Sequence, residues 1–231
     1  MISVIIPTMW RAEHIHKMLP MLNLNPVIGE IIIVDNDPHR ANHAELTLID
    51  KLVYLPQTEN IYVNPAWNLG VKTAKYDKFM FLNDDCLMNL NCMFDIFKSI
   101  TPDKGLLGFS ELSYCGFAIE IFETVKQSGM GDYITIEESY GTDELSGMPH
   151  FSYGSVMFCH RESYYEIPEE FKIYYGDLFL YRLNMKNGKS NYVIDDGLIF
   201  TKMSTTVSLV NPQIEKEREL FYTVFNRYGI T

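Results

Sequence analysis

Cysteine is scarce and wrongly spaced for metal or disulfide chemistry. The four residues, Cys86, Cys92, Cys115 and Cys159, form no C-x-x-C pair, and Cys86 and Cys92 are six apart. That argues against a zinc site or a disulfide framework and predicts buried free thiols in a reducing compartment. Long apolar runs are missing too, since no stretch approaches the roughly 20 residues of a membrane span. The chain opens directly on strand-like Ile2-Ser3-Val4-Ile5-Ile6, without the charged and apolar regions of a signal peptide. A soluble, cytoplasmic protein is expected. Lysine and arginine number 19 against 30 acidic residues, a net charge of −11. A surface of that sign attracts neither nucleic acid nor an anionic membrane over long range. It does not exclude an anionic nucleotide, because a bound metal can reverse the local sign. Glycine is absent from Pro7-Thr8-Met9-Trp10-Arg11, the turn after the first strand, so no G-x-G-x-x-G opens the first helix and a Rossmann dehydrogenase is disfavoured.

What is present is a sizeable core in one large domain: 47% of the 231 residues are hydrophobic, and no low-complexity segment breaks the chain. Ile2–Ile6 ends at Pro7-Thr8, and Glu13–Leu22 carries Ile15, Met18, Leu19 and Leu22 at helical spacing. Glu30–Val34 is a second, fully apolar strand ending in the turn signal Asp35-Asn36-Asp37-Pro38. A helix is predicted over Ala41–Ile49, a strand over Leu52–Leu55, and a helix over Asn64–Lys75 with Pro65 at its first position. Phe79–Leu82 is the fourth strand and Leu90–Ser99 the next helix. This alternation predicts a parallel sheet covered on both faces. After Ser99 the pattern changes. Gly105–Phe109, Tyr114–Ile121, Ser155–His160, Asn191–Ile194 and Leu198–Phe200 read as strands, and Asp177–Met185 and Pro212–Tyr228 as helices. Ser128–Pro149, with its glycines and acids, reads as a loop suited to an acceptor site or a lid. The expected architecture is α/β, a mostly parallel Rossmann-like sheet flanked by helices. Residues 1–100 form a nucleotide-binding half and 101–231 a mixed acceptor half of one domain.

The stretch that organises the chain is Phe79-Met80-Phe81-Leu82-Asn83-Asp84-Asp85. An apolar strand stops at two adjacent carboxylates, which are costly to bury unpaired and belong past the strand's C-terminal end, where open α/β sheets bind ligands. Two hard oxygen ligands there suit Mg²⁺ or Mn²⁺ holding a diphosphate. The competing reading is a turn that caps the next helix. Pro7-Thr8 and Asp35-Asn36 end two further strands, and in a parallel sheet all three ends lie along one edge, which favours the metal site.

The segments Val4-Ile5-Ile6-Pro7-Thr8, Ile32-Ile33-Val34-Asp35-Asn36 and Phe81-Leu82-Asn83-Asp84-Asp85 together resemble a GT-A glycosyltransferase of the family 2 type. Glu59-Asn60 with Asn68-Leu69-Gly70-Val71 is similar to the family's E-N-x-G-x-A-x-G-x-N-x-G-I segment, with Tyr62, Asn64 and Pro65 where the family has small residues. Phe171–Leu180 is a weaker match to E-D-x-D-L, in which Asp177 and Leu180 survive and Gly176 and Phe179 replace two acids. The resemblance covers residues 1–90 well and 150–205 loosely. It implies a nucleoside pocket lined by Pro7 and Thr8, a base contact at Asp35 beside Asn36, and Asn68 next to the nucleotide. It also implies Asp84 on ribose or metal, Asp85 on the metal, and Asp177 as the base that activates an acceptor. The implied donor is a nucleotide-sugar, a UDP-sugar by analogy, and the acceptor a glycan or other hydroxyl, with Mn²⁺ or Mg²⁺ as cofactor.

Each residue also has a plainer reading. Asp35 can simply begin an Asn-Asp-Pro turn, Asn68 can face solvent, and Trp10 and Trp67 can pack rather than stack on a ligand. Arg11 reaches a phosphate or stays on the surface. His150 and His160 contact acceptor hydroxyls or do nothing catalytic. Asp177 is a base or a helix cap. Relatives carry a late histidine in the metal shell; here Phe200-Thr201-Lys202-Met203-Ser204 has none, and Lys202 is the candidate to pair with the diphosphate. Two rivals stand beside the transferase. A non-catalytic binding module of the same fold draws support from the lost acids around Asp177. A sugar-nucleotide pyrophosphorylase should show a glycine-rich basic loop after the first strand.

Overall fold

The computed structural model describes residues 1–115, 121–139, 154–201 and 212–230. Four parallel strands form one side of its larger sheet: β1 (Ile2–Thr8), β2 (Ile28–Asp35), β3 (Leu52–Pro56) and β4 (Lys78–Leu82). Later in the chain come β5 (Cys86–Met88), β6 (Leu107–Phe109), β7 (Tyr114–Cys115), β8 (Thr135–Glu138), β9 (Val156–His160), β10 (Tyr192–Asp195) and β11 (Ile199–Thr201). The eight-stranded sheet runs β3-β2-β1-β4-β9-β6-β10-β8, and β5-β11-β7 form a second, small sheet. β4–β9, β9–β6 and β10–β8 are antiparallel and β6–β10 is parallel, so the sheet is mixed in its later half, as expected.

The central strands are long apolar runs because both faces are covered. Val4, Ile6, Ile31, Ile33, Met80 and Leu82 point into one core with α1 (His14–Leu24) and α4 (Met93–Ser99). Ile5, Ile32, Val34, Phe79 and Phe81 point into the other, beneath α3 (Val63–Thr73), α6 (Gly176–Lys186) and α7 (Pro212–Tyr228). This alternation is the period-two geometry of a strand with two buried faces. Gly70 of α3 lies so close to β1 that a Cβ there would stand 2.4 Å from Ile5 Cγ2.

Several expected elements change. The helix expected over Ala41–Ile49 shrinks to α2 (His43–Leu46), preceded by a 3-10 turn at Pro38–Arg40; only Leu46 and Ile49 in that stretch bury, too little to hold a longer helix. α3 begins at Val63, which puts Pro65 at the third position, still within the first turn where a missing N–H costs no helical bond. α4 begins at Met93 because Cys86–Met88 is taken by β5, pairing with β11. Of the strand expected over Tyr114–Ile121, Tyr114–Cys115 forms β7, residues 116–120 lie outside the described residues, and Ile121 already leads into α5 (Phe122–Gln127). Within the span read as a loop, Thr135–Glu138 forms β8 on the sheet's edge, its exposed side chains leaving no hydrophobic alternation to read. Cys86, Cys92 and Cys159 are buried free thiols; the side chain of Cys115 lies outside the described residues. Among the described residues no helix is long and apolar enough to cross a membrane.

Candidate functional site

The C-terminal ends of β2, β1 and β4 lie side by side, with Thr8 in register with Asp35. Thr8 is the junction between them. Its hydroxyl donates to Asp84 Oδ2 at 2.7 Å and accepts the Trp10 amide at 2.8 Å, while its carbonyl accepts the Asn36 amide at 2.8 Å. The Thr8–Trp10 bond closes a tight turn in which Trp10 takes a left-handed φ of 56°. That turn folds the indole back over β2, where Nε1 donates to Asp35 Oδ2 at 2.7 Å. Asp35 also accepts the Tyr54 hydroxyl at 2.7 Å and the Asp37 amide at 2.8 Å, and it is fully buried. Its carboxylate thus has three donors within the protein, two on Oδ2 and one on Oδ1. Asn36 Oδ1 accepts the Ile61 amide at 3.0 Å, tying the loop before α3 to the same edge. Pro7 is buried in β1 opposite Val34.

Asn83 to Cys86 is a turn closed by the Cys86 amide on the Asn83 carbonyl at 3.2 Å. It leads into β5, and the next helix starts only at Met93, so Asp84 and Asp85 do not cap it. That removes the capping alternative and leaves two nearly buried carboxylates at the strand end. Burial pushes the Asp84 carboxyl up to about 6; the Thr8 hydroxyl opposes this, the Asp85 charge adds to it, and the Met9 amide opposes it again. Asp85 Oδ1 accepts the Cys86 thiol at 3.7 Å, and burial raises that thiol far above its usual range. No group of three or more His, Cys, Asp or Glu side chains fit to hold a metal occurs among the described residues. The pair still fits a Mg²⁺ or Mn²⁺ that arrives with a diphosphate, since such ions keep waters and phosphate oxygens and need only one or two carboxylates.

Asp177 approaches the same turn from the other half of the chain. It is the second residue of α6, after Tyr175 in the left-handed conformation (φ 63°, ψ −1°). Its Oδ1 accepts the Leu178 amide at 2.9 Å, and it also accepts the Gly154 amide. Burial raises its carboxyl, with those amides opposing. Gly154 is followed by Ser155, whose carbonyl accepts the Asn83 amide at 2.9 Å. A two-residue segment therefore links Asp177 to the turn that carries Asp84 and Asp85.

Two of the departures from the family pattern, Asn64 and Gly176, are in contact. A Cβ on Gly176 would stand 2.2 Å from Asn64 Oδ1, so the asparagine occupies the room that an acid at 176 would need. Asn64 Nδ2 donates to the carbonyls of Phe171 (3.2 Å) and Tyr174 (2.9 Å), and its Oδ1 has no partner among the described residues. Phe179, the other replaced acid, is fully buried.

Those of the remaining candidates that are described have other contacts or face solvent. Asn68 donates to the Ile167 carbonyl at 2.8 Å and accepts the Tyr164 hydroxyl and the Ile167 amide, latching α3 to that segment. Arg11 is exposed. Lys202 and His150 lie outside the described residues. His160 accepts the Glu162 amide at the end of β9. Trp67 packs edge-on against Phe81 at 5.4 Å. Sequence reasoning missed Tyr54, whose ring lies on an edge strand three residues past Lys51, and Glu217, buried in α7; neither carries a motif.

No family model and no curated protein matches the sequence. Solved structures do match. S. aureus TarS aligns with 97% of this chain and 40% of its own, at a TM-score of 0.61 and 16% identity. TarS 1-349 in complex with UDP aligns with 97% of this chain and 65% of its own (TM-score 0.61, 15% identity). The same piece in complex with UDP-GlcNAc gives 97%, 66%, 0.59 and 15%. The fold is of the GT-A type. The chain spans 40% of the longer TarS chain and about two thirds of the shorter one. The GT-A likeness runs through both halves of the chain, including the later half where the sequence resemblance is loose.

Proposed function

We propose that this chain is a glycosyltransferase that moves a sugar from a nucleoside diphosphate sugar, a UDP-sugar in the first instance, to an acceptor hydroxyl of a glycan. The observation that carries the reading is the convergence of Thr8, Asp35, Asp84 and Asp85 at one sheet edge, with Asp177 joined to it through Gly154-Ser155. The fold supports it, since TarS 1-349 has been crystallised with UDP and with UDP-GlcNAc.

In this reading the edge of β1 and β2 receives the nucleoside. Asp84 and Asp85 would hold a divalent cation with the diphosphate, and the Thr8 hydroxyl fixes the Asp84 carboxylate. That cation supplies charge stabilisation for the leaving diphosphate, which is greater in the transition state than in the ground state. Asp177, its carboxyl raised by burial, accepts the proton of the attacking hydroxyl in an inverting transfer. In a retaining transfer the departing diphosphate takes that proton instead, and Asp177 remains an anchor for the Leu178 and Gly154 amides.

The test is incubation with Mn²⁺ and a set of nucleotide-sugars, following free nucleoside diphosphate with and without EDTA and determining the anomer of the product. Mn²⁺-dependent UDP release is expected. UDP binding without release from any donor would establish instead the non-catalytic module, which the loss of both acids at Gly176 and Phe179 favours. Formation of a sugar-nucleotide from a nucleoside triphosphate would establish a pyrophosphorylase.

A further inference from the structure

Glu217 is a fully buried carboxylate on α7 whose partners are neutral amides. It accepts the backbone N–H groups of three successive residues: Lys172 at 3.0 Å, Ile173 at 3.1 Å and Tyr174 at 2.8 Å. The Gln213 side-chain amide donates to it as well, at 2.9 Å. Three consecutive amides turned onto one anion form a nest, which fixes the path of the chain that makes it. One helical turn on, Phe221 presents its ring on the same face of α7, 4.8 Å from the ring of Tyr175. From the opposite side Asn64 holds the Phe171 and Tyr174 carbonyls, and its own amide donates to the Lys172 carbonyl at 3.0 Å. Phe171 to Tyr175 is thus gripped from two helices, and it ends in the left-handed Tyr175 immediately before Gly176 and Asp177.

Stability alone does not account for this carboxylate. A buried charge costs several kcal/mol in lost hydration, and well-packed apolar residues often do as well or better in its place. What the carboxylate adds is geometry, since an apolar side chain would leave three backbone amides unpaired and free to turn.

We infer that Glu217 is a positioning residue for Asp177, setting through the 172–174 nest the turn from which Asp177 reaches the Asp84–Asp85 edge. The inference rests on the transferase reading only for the consequence in catalysis; the positioning itself is read independently. The experiment compares wild type with Glu217→Gln, which keeps the shape but turns one acceptor into a donor, and with Glu215→Gln on the exposed face of α7 as control. Amide exchange of Leu178 and Gly154, both donors to Asp177, is expected to quicken about ten-fold in Glu217→Gln, as for loss of one net hydrogen bond, while β1, β2 and β4 keep wild-type protection. UDP affinity should stay within about two-fold and kcat for transfer fall about ten-fold, a split that simple loss of folded protein does not produce. Gln213→Ala repeats the pattern at smaller amplitude and is the variant to read if Glu217→Gln does not fold. Uniform loosening of the whole sheet, or unchanged Leu178 and Gly154 exchange, overturns the inference. Loosened amides with unchanged kcat overturn the role in catalysis. If wild type releases no UDP from any donor, it is the transferase reading that falls, and the exchange pattern alone decides the positioning.

Discussion

At the scale of single residues, the site carries stored cost in two forms, desolvated carboxylate and unusual backbone. Asp84 shows the first. Its folded pKa, about 6, lies above the ordinary 3.8. A raised folded value means that the native state binds the proton more tightly than the unfolded chain. This contribution is therefore complete below about pH 4 and lost as pH rises through about 6, by about 3 kcal/mol in the absence of ligand. Asp84→Asn should flatten that part of the stability profile between pH 4 and 6, measured as urea midpoints at several pH values. A profile as steep as wild type would show that Asp84 ionises freely. Tyr62 shows the second form. At φ 68° and ψ −172° it holds a backbone conformation proper to glycine, at the position where the resembling family has a small residue. Tyr62→Gly should raise stability by about 1 kcal/mol after glycine's own entropy cost. An unchanged or lower urea midpoint would mean that the ring's contact with the Lys172 ammonium, 5.4 Å from its centroid, outweighs the strain.

At the scale of elements, legibility followed burial. β1, β2 and β4 are visible in the sequence because both of their faces are covered and, but for Lys78 at the start of β4, their residues are apolar or buried. β5 and β8 are not, because three or four residues on a small sheet or an exposed edge owe their conformation to partners more than 50 positions away, Met88 to Ile199 and Glu138 to Tyr192. The strand-end acids were legible because carboxylates at the end of an apolar run need a reason. Glu217 was not, since an acid inside an amphipathic helix looks solvent-facing until tertiary structure buries it. The Asn64–Gly176 contact lies between these cases: both departures were visible, but only packing joins α3 to α6. It can be tested as a pair. Gly176→Ala should cost about 2 kcal/mol through overpacking, and Asn64→Ala about 2 kcal/mol through two carbonyls left unpaired. The double variant should cost about 1 kcal/mol or more less than the sum, because Asn64→Ala makes room for the new methyl. Additive losses in urea unfolding would separate the two sites.

At the scale of the whole molecule, the candidate site joins distant parts of the chain: β1, β2 and β4 bring the acids and Thr8, while α6 and α7 bring Asp177 and its support. A ligand that bridges them must stabilise the entire fold, in proportion to how far its concentration exceeds its Kd. At about 100 times Kd the gain is about 2.7 kcal/mol, which for a chain of this size corresponds to a rise in Tm of roughly 5–10 °C. UDP with Mn²⁺ should produce that shift, and EDTA should remove most of it, because two carboxylates and a diphosphate repel one another without a cation between them. Asp85→Asn tests the point at its source. The substitution keeps the shape of the turn and, with no ligand, should leave Tm close to wild type. It should abolish the Mn²⁺-dependent part of the UDP shift and Mn²⁺-dependent release of UDP together. A full Mn²⁺-dependent shift in that variant would place the cation elsewhere. An equal UDP shift in wild type with and without EDTA would show that the protein alone holds the diphosphate.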